Sequence, residues 1–251
     1  MNKNFIIVNF ITVFIIVFLS NGCKNGPTSI SYGDPLILAE LSKSDYLNTP
    51  RAHVEVDGTE LLPIVVINND TLELSYCDPE GEYMWKSFFI EEVSTDPENE
   101  YDLVVSHKGG EASATITMPG DFEITSPQEA DTFHQGDDLT VSWSSSENAE
   151  RYDLYVRLEY DYGDTANPYY NRFQLDTFIS NADTSITIPK ERIFPSEIDS
   201  VLEGNGYVNI HSENGPQIGT SAEGNISGEG IGYFNAYIYR NVDFYIEDAP
   251  D

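Results

Sequence analysis

The sequence predicts an all-β protein built as two β-sandwiches in tandem, and three observations carry that prediction. Short apolar runs recur along residues 35 to 249, and several alternate apolar with polar residues, the period-two signature of strands with one buried face. Turn-forming pairs such as Asp57-Gly58, Gly109-Gly110, Ser126-Pro127 and Gly136-Asp137 separate them. No long helical pattern interrupts the series. With 40% hydrophobic residues, 16 Tyr and 13 Phe among 251 residues, the chain can fill one large or two ordinary cores.

The N-terminus has a different character. Lys3 precedes an apolar stretch from Phe5 to Leu19, broken only by Asn9 and Thr12 and followed by Ser20-Asn21-Gly22-Cys23. That stretch is shorter than the ~20 residues a spanning helix needs, and it ends in small residues without a basic flank, so residues 1–22 read as a cleaved signal peptide. The segment LSNGC resembles a bacterial lipobox, in the looser form found in lipoproteins of the Bacteroidetes type. The resemblance implies cleavage after Gly22 and a diacylglyceryl thioether on Cys23, which would anchor the chain in a membrane. An ordinary secretory signal is the alternative. Residues 23–34, with Gly26, Pro27, Ser29 and Gly33, read as a flexible tether. The chain has two cysteines. If Cys23 is acylated, Cys77 is expected to lack a partner within the chain and to be a small strand-end residue, because no histidine lies near it in sequence.

Residues 35–120 form the first expected sandwich. Its strands are Leu36 to Leu41, Ala52 to Val56, Leu61 to Ile67, Thr71 to Tyr76, Tyr83 to Ile90, Tyr101 to Ser106 and Ala112 to Met118. In the last hairpin Tyr101, Leu103 and Val105 share one face, and Ala112, Ala114, Ile116 and Met118 share one on the returning strand. A Gly109-Gly110 turn would set these two apolar faces side by side.

Residues 121–249 form the second. Pro119 to Trp143 closes one unit and opens the next without room for a linker. Leu139, Val141 and Trp143 alternate with polar residues, as do Tyr152, Leu154, Val156 and Leu158. Further strands follow at Tyr169 to Ser180, Thr184 to Pro189 and Tyr207 to His211, with a closing pair at Gly232 to Arg240 and Val242 to Ile246. A short helix is expected over 195 to 204, with Ser196 as N-cap and Gly204 as terminator. The Gly, Ser and Asn-rich segment 215 to 232 reads as a loop. The stretch ITSPQEADTFHQGDDLTVSW, followed by a Ser-rich turn and RYDLYV, resembles the immunoglobulin-like or fibronectin-III-like Ser/Thr-rich domains of surface proteins, over about Phe122 to Val156. The resemblance implies two tandem immunoglobulin-like β-sandwiches, a core role for Trp143, and use as a spacer, adhesion module or carrier of a sugar-binding face.

A net charge of −31 repels phosphate backbones and excludes nucleic acid as a partner, since such binding needs Lys and Arg to displace counterions. Solubility at an exposed site and divalent-cation binding are two accounts of the acidity. The four histidines, at 53, 107, 134 and 211, lack metal-ligand spacing, and no GxSxG, HExxH, phosphate-cradling loop or CxxC is present. Two features are candidates for binding. Glu159, Asp161 and Asp164 offer hard oxygen ligands suited to Ca²⁺, against the reading of a solvated acidic turn. On the last strands, Phe234, Ala236, Ile238, Val242, Phe244 and Ile246 are expected inward, which turns Tyr233, Tyr237, Tyr239 and Tyr245 outward. Such a stripe can stack on sugar rings or dock a partner, or can be used up in cross-strand pairs.

The expected protein is thus an envelope lipoprotein, lipid-anchored at the outer membrane or surface of a bacterial cell, that acts as a non-enzymatic binding or adhesion module for glycan or protein. A structural spacer or accessory subunit of an envelope complex is the alternative. A glycan-active enzyme using two close carboxylates is the third.

Overall fold

The computed structural model describes residues 34–44, 51–59, 61–80, 84–92, 99–198, 200–217 and 224–248, with backbone alone at 78–80, 84–86 and 92. The expected signal peptide and Cys23 lie outside the described residues, as does the tether except Asp34. Among the described residues no helix is long and apolar enough to cross a membrane.

The structure is built almost wholly of strands. In the first half they are β1 (Leu36–Ser44), β2 (Arg51–Thr59), β3 (Ile64–Ile67), β4 (Asp70–Thr71), β5 (Leu74–Glu80), β6 (Met84–Glu92), β7 (Glu100–His107) and β8 (Gly110–Thr117). The second half adds β9 (Ile124–Ser126), β10 (Thr132–His134), β11 (Leu139–Trp143), β12 (Arg151–Asp164), β13 (Asn167–Ser180) and β14 (Ser185–Ile188). A single helical turn α1 (Lys190–Ile193), then β15 (Val201–Asn214), β16 (Ser227–Gly228) and β17 (Ile231–Glu247), complete it.

One nine-stranded sheet runs through both halves, in the order β13-β12-β15-β17-β1-β2-β6-β5, with β10 also on β17. The strand that joins the halves is β17. Residues 236–246 pair antiparallel with β15, while residues 231–239 pair parallel with β1 along the other edge. Two smaller sheets, β16-β8-β7-β3-β4 and β14-β11-β9, hold the remaining strands. Strands of the segment 121–249 thus pair with strands of the segment 35–120, β17 with β1 and β16 with β8.

Side-chain alternation makes this possible. On β17 every even-numbered residue from Gly232 to Ile246 is buried, while the odd ones are half-buried or exposed. The same inner face collects Ile37, Ala39 and Leu41 from β1, Val54 and Val56 from β2, Leu154, Val156 and Leu158 from β12, and Val208 and Ile210 from β15. These join the buried residues of the smaller sheets in one hydrophobic cluster. Each Val, Leu or Ile among them contributes about 1.5–3 kcal/mol on burial. Trp143 is 3% exposed and meets Tyr152 edge-on at 5.3 Å. At the junction, Ser146 donates its hydroxyl to the Gly120 carbonyl at 2.5 Å and accepts one from Ser212 at 2.6 Å.

The expected hairpin faces of β7 and β8 are observed, with Tyr101, Leu103, Val105, Ala112, Ala114 and Ile116 all buried. Three expectations are corrected. The helix over 195 to 204 does not form: one helical turn lies earlier, at Lys190–Ile193, and Val201 to Gly204 begin β15. Its start is set by Pro189 and by the Asp138 carboxylate, which accepts the Lys190 N–H at 2.9 Å. The closing pair of strands is one 17-residue strand, continuous through Asn241. Cys77 is disulfide-bonded in the structure, so it is not a residue without a partner.

Candidate functional site

Over β12, β15 and β17 the inner face of the large sheet is mostly buried, whereas the outer face is half-buried or exposed. There the odd-numbered residues of β12, β15 and β17 and the even-numbered residues of β13 come into register. One row across the strands reads Arg172, Glu159, Asn205 and Tyr245, and the next reads Gln174, Arg157, Tyr207 and Asp243.

Glu159 is the centre of the first row. Its Oε1 accepts the Tyr170 hydroxyl, the Arg157 guanidinium at 2.5 Å and the Arg172 Nε–H at 2.9 Å. The Tyr170 and arginine hydrogen bonds hold its carboxyl at a pKa of about 2, so it is an anion at any physiological pH and cannot donate a proton. Between β12, β15 and β17 lies a groove of about 610 Å³, lined by Arg157, Glu159, Asn205, Tyr207, Asp243 and Tyr245 and walled by Glu129 and Ala130 from the β9–β10 turn. A second hollow of about 510 Å³ shares Glu159, Asn205 and Tyr245 and continues past Tyr170 and Glu203. Tyr245 is 53% exposed, with its ring available from both.

Further along the sheet the tyrosines are engaged with their neighbours. Tyr207 receives an Asn209 amide hydrogen bond, Tyr239 donates to Asn209 Oδ1 at 2.8 Å, and Tyr155 meets Tyr207 edge-on at 6.0 Å. Tyr237 donates to Glu40 Oε1 at 2.9 Å and stacks on His211 at 5.1 Å. Burial, and then the negative charge of Glu40, push the Tyr237 hydroxyl well above its ordinary pKa. Of the expected outward stripe, then, Tyr245 stands exposed, whereas Tyr233, Tyr237 and Tyr239 are half-buried. Tyr207, Tyr170 and the groove were not legible in advance, because β15 and β17 had to be placed side by side before Asn205 could be seen next to Tyr245.

The three acidic candidates are not brought together. Glu159, Asp161 and Asp164 lie along β12, an extended strand and not a loop, so Glu159 and Asp164 are about 16 Å apart at ~3.3 Å per residue. Asp164 accepts the Ala166 N–H at 2.9 Å in the β12–β13 turn. A different trio does converge: Asp153, His211 and Glu213 offer donor atoms within 4.8 Å of one another. A cation already serves it, since Arg151 pairs with Glu213 at 2.8 Å. Burial raises the pKa of Asp153 and Glu213 and lowers that of His211. Asp153 and Glu213 do not form a pair open to a substrate, since the neighbouring cleft of about 220 Å³ is lined by Glu213 and His211 without Asp153.

No protein-family model matches the chain, and no curated protein matches it. Among solved structures, it is similar to the FN1–FN3 domains of chicken CNTN1 at 13% identity, over 89% of this chain and 69% of that one, with a TM-score of 0.28. It is also similar to the Ig1–Ig3 ectodomain of mouse nectin-like molecule 4 at 9% identity, over 87% of this chain and 66% of that one, with a TM-score of 0.25. Superpositions this loose do not fix an architecture; the strand pairings do.

Proposed function

We propose that the protein is a non-enzymatic binding module of a bacterial cell envelope, held to the membrane through a lipid on Cys23, and that its ligand is an uncharged or basic glycan seated in the groove between Glu159 and Tyr245. The observation that carries the reading is the groove itself, where an exposed tyrosine ring, a second tyrosine, an asparagine amide and carboxylates line one open channel. Aromatic faces stack on the apolar side of a sugar ring while amides and carboxylates bond its hydroxyls. Asp243, Glu129 and Glu203 make the channel acidic, and Arg157 and Arg172 both pair with Glu159. Anionic polysaccharides are repelled by that lining and by the net charge of −31.

Support for the address is the apolar stretch ending in LSNGC. A thioether on Cys23 and a disulfide from Cys23 to Cys77 would use the same sulfur, so the lipidated and the oxidised chain are alternative products.

The test is a glycan array and a cell-wall pull-down with the wild-type chain and with Tyr245→Ala and Asn205→Ala, with calcium and with chelator. Binding to neutral or amino sugars that is lost in both variants and insensitive to chelator is expected. Binding retained in both variants, or binding confined to anionic glycans, overturns the groove assignment.

A further inference from the structure

Strand β13 ends the large sheet. β12 pairs along one of its edges over all 14 residues, and among the described residues no strand pairs along the other. An open edge of this length presents a row of backbone donors and acceptors that templates another strand, and proteins ordinarily blunt such edges with lysine, proline or a bulge. β13 has no lysine, its proline is second in the strand, and its register with β12 runs without a shift. Its large side chains are unusually exposed, with Tyr170 at 59% and Phe178 at 48%.

We propose that this edge pairs antiparallel with β13 of a second copy of the chain, about a two-fold axis at Gln174, so that two nine-stranded sheets become one. The side-chain order selects both the occupant and the register. With Gln174 opposite Gln174 of the partner subunit, Arg172 faces Asp176 of the partner subunit and Tyr170 faces Phe178 of the partner subunit, each twice by symmetry. On the other face Phe173 meets Leu175 of the partner subunit. Charge therefore meets opposite charge, and apolar meets apolar, at each of these positions. Sliding the pair by two residues sets Asn171 against Leu175 or Arg172 against Phe178, and sliding it by one turns every side chain to the wrong face. Burial, and then the negative charge of Asp176, raise the pKa of Asp153, so a guanidinium arriving at Asp176 relieves a like-charge contact. Arg172 is half exposed while it bonds Glu159, and its fork has donors left for a second carboxylate.

Because the axis is perpendicular to the sheet, both outer faces point the same way and both Tyr245 grooves are presented together. The pairing itself does not depend on what those grooves bind.

Sedimentation and light scattering of the full chain over a wide concentration range should show a monomer–dimer equilibrium. Arg172→Asp sets like charges opposite each other and should weaken the dimer by about tenfold or more, and adding Asp176→Arg should restore it. Gln174→Cys, an exposed position on the axis, should give a disulfide-linked dimer on mild oxidation that wild type, carrying the same natural cysteines, does not. Phe178→Cys should not, because its own copies would stand about 26 Å apart at ~3.3 Å per residue. A chain that stays monomeric at its highest soluble concentration overturns the proposal. So does a dimer that Gln174→Cys fails to link, or one unmoved by Arg172→Asp.

Discussion

The ring of Phe244 lies over Gly206 of the neighbouring strand, so close that a Cβ on that glycine would stand 2.1 Å from the ring. Gly206 and Phe244 are register partners on the inner face, and Phe244 is 2% exposed. The missing side chain is the space the ring fills. Gly206→Ala should therefore destabilise the protein by about 1–3 kcal/mol, the usual cost of overpacking, read as a lower urea midpoint at unchanged slope. Adding Phe244→Leu should recover part of that loss. A midpoint equal to wild type in Gly206→Ala would mean the ring does not occupy that space.

Arg240 is an exception to the apolar inner side of β17, at 9% exposure. It donates to the Phe122 carbonyl at 3.0 Å and to the Tyr239 carbonyl at 3.0 Å, pairs with Asp121, and lies over the Phe122 ring. These contacts pin the junction between the halves to the shared strand. Arg240→Met should cost about 1–3 kcal/mol by leaving carbonyls without donors. Arg240→Lys should fall short of wild type, since an ammonium cannot span the same acceptors. Equal stability of all three chains in denaturation would show that the junction is held elsewhere.

What was readable in the chain was local. Alternation from Phe234 to Ile246 assigned the buried face of β17 correctly, and the Gly109-Gly110 turn assigned the faces of β7 and β8, because side-chain parity within a strand depends on nothing outside it. Partnership was not readable. Ile37 pairs beside Gly232 across nearly the whole chain, and no local pattern specifies a parallel neighbour so distant. Gly204 read as a helix-ending signal but belongs with Gly206 to a strand, where Tyr160 and Phe244 crowd the positions their side chains would take. The groove depends on that misread strand, so it was hidden with it.

His211 is half-buried, with Tyr237 and Tyr239 against its ring, opposite Asp153. Burial lowers its pKa below 6.5, so the folded state holds its proton less tightly than the unfolded chain. The stability this contributes is present above pH 6.5 and is lost as pH falls below that value toward the folded pKa. Asp153 and Glu213 act in the opposite sense, their raised values favouring the folded state as pH falls through them. The difference between wild type and His211→Gln isolates the imidazole. The urea midpoint of wild type should fall relative to that of His211→Gln between pH 7 and pH 5, and the His211 ring protons should titrate with a midpoint below 6.5. A midpoint above 6.5 would mean that the neighbouring carboxylates outweigh burial.

The proposed lipid on Cys23 and a disulfide to Cys77 would compete for one sulfur, and the proposal requires the lipid to prevail. On that proposal, a leader of the LSNGC kind would present residue 23 for acylation. Once formed, the anchor is held by about 0.8 kcal/mol per buried methylene over several chains, and a thioether is not reversed by disulfide exchange. Peptide mass analysis of the chain extracted from its host envelope should therefore find lipid on the Cys23 peptide and no Cys23–Cys77 cross-linked peptide. Cys77→Ser should leave that lipid in place, whereas Cys23→Ser should release the chain from the membrane fraction. A cross-linked peptide without lipid in the envelope-extracted protein would refute anchoring and make Cys23 a structural partner of β5 instead.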